Sequence, residues 1–198
     1  MDGTGDEDVP SPDATERVGP DAVEVVIPSV KKDILTLDSV PDGVSTHVER
    51  KGTLNEARNR GVSKVGAEVA IIMDDDIAFP EETFWELVDR AGPEKLVGMS
   101  DWNYGWVAGR VMVFHVDTWR ELGGFDERLR SHMGDTEFSL KFLTDGHEIE
   151  TVPQDWFDHR EHDRSIDKWD HAWRGVYLAA KYPRYGPKLL TGMIERAI

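Results

Sequence analysis

Three consecutive carboxylates, Asp74, Asp75 and Asp76, follow directly on the apolar run Val69-Ala70-Ile71-Ile72-Met73. Adjacent like charges repel, so such a triplet is stable only where a cation, a donor-rich loop or open water compensates it. A divalent cation is the economical compensator, because Mg²⁺ and Mn²⁺ take oxygen ligands and are commonly held by one or two carboxylates together with substrate phosphates. The apolar run reads as a central buried strand, and in an α/β sheet ligands gather outside the carboxyl ends of the strands. The plain alternative is a solvated turn in an acidic protein. Such a turn needs neither a buried strand aimed at it nor the chain reversal that Phe79-Pro80 imposes directly afterwards.

A triplet so placed demands a sheet beneath it. Residues 23–27 form a β-branched run closed by Pro28-Ser29, which suits a first strand ending at a ligand-facing edge. A weakly patterned stretch leads to Gly43, a second strand covers 44–48, and a helix over 54–65 ends near Gly66. Pro80-Glu81-Glu82 opens the next helix, with Phe84, Leu87, Val88 and Ala91 on one stripe. Strands over 96–99 and 107–116 flank an aromatic loop containing Trp102, Tyr104 and Trp106. Helices over 118–122 and 135–144, a strand over 148–152 and a terminal helix over 166–181 follow, after which the chain soon ends. This alternation predicts an α/β fold with a mostly parallel, doubly wound sheet and helices on both faces.

The 198 residues suit one domain, expected over 22–198, preceded by an acidic, Pro-containing tail over 1–21 with almost no aliphatic residue to bury. A formal charge of -16 argues against duplex nucleic acid as a partner and implies that a phosphate-bearing ligand needs help from a cation. The aspartate-rich, lysine-poor balance resembles that of proteins from high-salt cytoplasm. Without cysteine there is no disulfide framework and no thiolate metal site. No apolar run is long enough to span a bilayer, and no basic-then-apolar leader opens the chain, so a soluble cytoplasmic protein is expected. Trp169, Trp173, Val176 and Tyr177, with Lys181, Arg184 and Lys188 beyond, suggest a helix packed on the sheet; peripheral membrane contact is the minor alternative.

Four segments in order, Asn55-Glu56-Ala57-Arg58-Asn59-Arg60-Gly61, Ile71-Ile72-Met73-Asp74-Asp75-Asp76, Gly123-Gly124-Phe125-Asp126-Glu127 and Gly134-Asp135-Thr136-Glu137, resemble the motifs of the family 2, inverting, GT-A-fold glycosyltransferases. The resemblance implies transfer of a sugar from a nucleoside-diphosphate sugar to a hydroxyl on a glycan or lipid-linked acceptor, with Mg²⁺ or Mn²⁺. It implies that Pro28 and Ser29 line the nucleoside pocket and that Arg58 approaches the base or diphosphate. Asp74 would take the ribose side, Asp76 the metal, and Asp75 an unspecified place between them. Asp135 would accept the acceptor's proton. His159 matches a position where many members place a histidine near the metal or leaving group, and His162 competes for it. Arg128, Arg130 and His132 stand where the family keeps its acceptor loop, suited to an acceptor phosphate. Trp102 and Trp106 offer rings on which a sugar stacks, beside the alternative of core packing.

The match breaks in two places. Between Pro28 and Val44 the family's base-reading acidic segment is replaced by residues 35–43, so Glu49 or Asp38 would have to substitute. Gly134 stands where an acceptor-orienting glutamate is usual. These departures leave open a non-catalytic sugar-nucleotide or glycan-binding protein. A nucleotidyltransferase would need a Gly-rich basic loop after the first strand, where Val30-Lys31-Lys32-Asp33 lacks the glycines.

Overall fold

The computed structural model describes residues 19–101, 104–130, 132–160 and 168–197. In chain order the first half comprises β1 (Val23–Pro28), β2 (Ser45–Glu49), α1 (Leu54–Val62), β3 (Val69–Met73), a short β4 (Ile77–Ala78) and α2 (Glu81–Asp89). The second half comprises β5 (Lys95–Ser100), β6 (Val107–His115), α3 (Val116–Glu121), α4 (Gly134–Asp145), β7 (Glu148–Val152), β8 (Asp158–His159), α5 (Lys168–Lys181) and α6 (Gly186–Ala197). Helix α1 starts at a capping-box sequence in which the Thr53 amide donates to the Glu56 carboxylate at 2.7 Å.

The main sheet runs β2-β1-β3-β6-β5-β7, with β4 and β8 forming a separate two-stranded ribbon. The β1–β2, β1–β3 and β5–β7 pairs are parallel, whereas β6 is antiparallel to both β3 and β5. Its direction follows from the connection to β5, since a handful of residues cannot supply the crossover that a parallel pair needs. The antiparallel course brings the start of β6 beside the carboxyl end of β3, where Met73 is opposite Val111. The central sheet is therefore mostly parallel, as expected, with one reversed strand that the apolar pattern did not reveal.

Alternation along the strands feeds two cores. Val25, Ile27, Ile71 and Met73 pack on one face with Phe84, Leu87 and Val88 of α2. Val26, Ala70, Ile72 and Phe114 pack on the other with Val62 of α1 and Phe138 and Phe142 of α4. Strand β3 is buried along its whole length because helices cover both sides. A third cluster joins Tyr104, Trp106, Leu129, Met133, Leu140, Leu178, Tyr182 and Leu189.

The structure corrects several expectations. Pro20–Ala22 forms a 3-10 turn leading into β1, inside the stretch assigned to the tail; residues 1–18 lie outside the described residues. Leu35–Ser39, part of the weakly patterned stretch, is a 3-10 helix. Gly186–Ala197 is a further helix, packed against α5. Helix α5 meets this helix and, through Leu178, the third cluster; Trp173 and Val176 are exposed, and the Trp169 side chain lies outside the described residues. No helix of the described residues is long and apolar enough to cross a membrane.

Helix α5 is joined to α4 by a buried ionic network. Lys181 donates to Asp126 at 2.9 Å and to Glu137 at 2.8 Å, Tyr177 donates to Asp126 at 2.7 Å, and Tyr182 donates to Glu137 at 2.7 Å. Burial alone would raise the Asp126 carboxyl, but hydrogen bonds from Arg128, Tyr177 and Lys181 overcome it and hold the group well below the usual carboxylate range. Because its folded-state value is depressed, Asp126 contributes stability above the unfolded value of about 4, and this is lost as pH falls below it. Lys181→Met, which leaves buried carboxylates short of their cation, should cost about 3 kcal/mol in urea unfolding at pH 7. The unfolding midpoint of the unaltered chain should fall more steeply from about pH 5 to pH 3 than that of Asp126→Asn.

Candidate active site

The turn carrying the three carboxylates is fixed through its backbone. The Asp74 amide donates to the Arg110 carbonyl at 2.9 Å, and the Leu35 amide donates to the Asp75 carbonyl at 3.0 Å. Fully buried Thr36 donates its hydroxyl to the Asp74 carbonyl at 2.6 Å and accepts from the Ile77 amide at 3.2 Å. The 3-10 helix Leu35–Ser39 thus clamps the turn from one side and the start of β6 from the other. A turn so held cannot relieve the repulsion by moving apart, so the side chains must find separate partners.

They do. Asp74 lies 3.8 Å from the Arg58 guanidinium. Asp75 accepts from the Ser29 hydroxyl and from the Lys31 ammonium, the latter at 2.7 Å. Asp76, buried, places one oxygen 3.4 Å from His159 Nε2 and the other 3.5 Å from Lys31 Nζ. Burial pushes the Asp74 carboxyl up to about 6; Arg58 opposes the rise, while Asp76, Asp135 and Asp75 add to it.

His159 reaches Asp76 because β4 and β8 pair antiparallel, with Ile77 opposite His159, and because the Arg160 amide donates to the Asp76 carbonyl at 3.0 Å. Two donors of one octahedral cation with bonds of about 2.1 Å stand about 3 Å apart, so a carboxylate oxygen and an imidazole nitrogen at 3.4 Å fit a hard divalent ion. Among the described residues no group of three His, Asp or Glu side chains converges to hold a metal. Two protein ligands completed by substrate phosphates are a common arrangement for Mg²⁺.

Arg58 connects the turn to Asp135. Buried on α1, it donates to the Gly109 carbonyl at 2.9 Å and lies over the Phe125 ring at 5.5 Å. Asp135 accepts from the Gly109 amide at 2.8 Å and from its neighbour Thr136 at 2.9 Å. A Cβ at position 109 would stand 2.6 Å from the Arg58 guanidinium and 3.1 Å from the Asp135 carboxylate. Only a glycine lets both groups approach the strand there. Helix α4 begins from Met133, the one non-glycine among the described residues with positive φ, at 61°. Left-handed backbone costs a residue with Cβ about 1 kcal/mol, and burial of the Met133 side chain in the third cluster holds it there.

The remaining expectations divide. Buried Pro28 and Ser29 sit at the end of β1 beside the turn. Glu49 ends β2, but Arg60 at 2.8 Å and Lys64 take its two oxygens, making it an internal ion pair. Gly134 is buried against Asn55, where a Cβ would meet the amide at 2.3 Å; no glutamate fits without moving α1. Arg128 is exposed, yet its guanidinium is bound by Asp126 and lies over the Tyr177 ring. Trp106 is core, 5% exposed, stacked on Tyr104 at 5.0 Å with the Lys188 ammonium over its ring, so acceptor stacking on it gives way to packing. Trp102 and His162 lie outside the described residues. Sequence reasoning missed Thr36, Lys31 and Gly109. Lys31 alone left a signal, a cation two positions beyond Ser29.

No protein-family model and no curated protein matches the chain. Solved structures do. The mannosyltransferase PcManGT from Pyrobaculum calidifontis, in complex with GDP-Man and Mn²⁺, aligns with a TM-score of 0.64 at 18% identity, over 87% of this chain and 69% of that one. TarS from S. aureus, in complex with UDP-GlcNAc, aligns at 0.58 and 12% identity, over 87% and 72%. A mutant of Drosophila β1,4-galactosyltransferase 7, in complex with manganese, UDP-Gal and xylobiose, aligns at 0.56 and 12% identity, over 75% and 78%. At such identities the likeness establishes architecture alone: the chain has the GT-A fold of the glycosyltransferases.

Proposed function

We propose that the chain is an inverting glycosyltransferase that moves a sugar from a nucleoside-diphosphate sugar to a hydroxyl on a glycan or lipid-linked acceptor, with Mg²⁺ or Mn²⁺. The carrying observation is the division of the acidic site into two parts. Asp76 and His159 face each other at 3.4 Å on one side, and Asp135 stands next to Arg58 and Gly109 on the other. The neighbours in the fold, bound to GDP-Man with Mn²⁺ or to UDP-Gal with manganese, support the donor class.

The division suits the chemistry. Departure of a nucleoside diphosphate builds negative charge on the leaving oxygen, which a divalent cation held by Asp76 and His159 would stabilise as a Lewis acid. Pro28 and Ser29 close the nucleoside side at the end of β1, and Asp74 orients the ribose. Arg58, its guanidinium fixed by the Gly109 carbonyl, adds positive charge between the turn and Asp135. The Gly109 amide orients the Asp135 carboxylate, which takes the proton of the attacking hydroxyl. One base and one displacement invert the anomeric carbon, so the product anomer read by NMR tests the stereochemistry; a product retaining the donor configuration contradicts the scheme.

Replacing the base separates chemistry from binding. Asp135→Asn should lower the transfer rate by about 10²- to 10⁴-fold while the affinity for donor, measured by equilibrium dialysis, stays within a few-fold of the unaltered chain. Asp76→Ala should abolish the part of donor binding that depends on Mn²⁺; unchanged metal-dependent binding in the same dialysis would remove Asp76 from the metal set.

A further inference from the structure

Asp75, the middle carboxylate, is engaged by a small built arrangement at the end of β1. The Ser29 hydroxyl donates to one of its oxygens and the Lys31 ammonium to the other at 2.7 Å, while the Lys31 amide donates to Ser29 Oγ at 3.0 Å. The Lys31 carbonyl in turn accepts from Arg50 at 2.5 Å. The backbone of Lys31 is therefore tied on two sides, while its side chain is half exposed and reaches across the turn to within 3.5 Å of Asp76. The same ammonium thus neutralises Asp75 and stands beside the carboxylate assigned to the metal.

We propose that Lys31 is an exchangeable counter-cation that couples the binding of the divalent cation to the binding of the nucleoside diphosphate, and that Asp75 serves to hold it in readiness. The inference rests on the transferase reading of the site. Its basis is charge. Formally, the three carboxylates with Arg58 and Lys31 leave one negative charge. A divalent cation and the doubly negative diphosphate of a sugar nucleotide arriving together preserve that sum, and a free nucleoside diphosphate lowers it by about one charge, whereas either ligand alone shifts it by two or more in a partly buried turn. A cation arriving alone at Asp76 meets the Lys31 ammonium already beside it and is repelled. A diphosphate offers that ammonium an alternative partner, and a four-carbon stem with half its surface in solvent can swing to it while the backbone stays fixed. Each ligand then removes an obstacle to the other, which is positive coupling, and coupling is reciprocal.

The test is Mn²⁺ binding to the full chain, followed by the loss of the free-ion EPR signal, with and without UDP or GDP, for the unaltered chain, Lys31→Met and Lys31→Arg of matched melting temperature. In the unaltered chain a nucleoside diphosphate should tighten Mn²⁺ binding. Lys31→Met should bind Mn²⁺ alone about tenfold more tightly, with the tightening by nucleotide reduced about tenfold. Lys31→Arg, which keeps the charge, should retain the coupling. Binding of Mn²⁺ and nucleotide with the same affinities and coupling in Lys31→Met as in the unaltered chain overturns the role of Lys31 and leaves the transferase reading standing. Failure of every variant to bind either nucleotide, with or without Mn²⁺, overturns both.

Discussion

Three adjacent carboxylates on a turn that cannot spread must be compensated one by one, and the arrangement of the surrounding chain follows from where the compensating groups come from. Thr36, the start of β6 and the 3-10 helix Leu35–Ser39 immobilise the turn's backbone. Arg58 approaches Asp74 from α1, Ser29 and Lys31 approach Asp75 from the end of β1, and His159 approaches Asp76 from β8. Elements distant in sequence thus supply the groups around the turn at one edge of the sheet. Burial, with Asp76, Asp135 and Asp75 adding to it and Arg58 opposing, raises the Asp74 carboxyl to about 6 at this crowded acidic edge.

The reversed strand β6 is what makes this edge two-sided. Had β6 run parallel to β3, its first residues would stand at the opposite end of the sheet. Instead Gly109 and Arg110 flank the turn, and the bare α-carbon of Gly109 lets Arg58 and Asp135 reach the strand together. The buried network of Asp126, Glu137 and Lys181 lies behind Asp135 and joins α4 to α5. Met133, held in the left-handed region by its buried side chain, begins α4, from which Asp135 reaches the Gly109 amide.

Much of the architecture was legible in the sequence because burial on both faces leaves continuous apolar runs, as in β1 and β3, and because a proline and two acids announce α2. Asp74, Asp76, Asp135 and Arg58 stand in motifs whose order is visible in the sequence and His159 follows the last strand; the fold brings Arg58 to 3.8 Å from Asp74 and His159 to 3.4 Å from Asp76. What stayed hidden depends on tertiary contact. Strand direction leaves no mark on periodicity, and only the short connection between β5 and β6 carries the reversal of β6. A single hydroxyl such as Thr36 becomes a clamp only when the turn is beside it. Trp106 has the composition of a sugar platform and the surroundings of a core residue, and Glu49 has the charge of a ligand group but finds its cations on α1. In each case the residue type is ambiguous and the neighbour decides.

On the proposed reading, the Asp74–Asp76 turn holds the diphosphate of a sugar nucleotide through a divalent cation. The most direct measurement is the melting temperature of the full chain across a panel of sugar nucleotides, with and without Mn²⁺, at low and high salt, since a ligand that binds the native state alone raises the transition. A rise is expected for at least one donor when Mn²⁺ is present, and a much smaller rise when either is omitted. A transition that no donor moves, with Mn²⁺ and at every salt concentration, would contradict it.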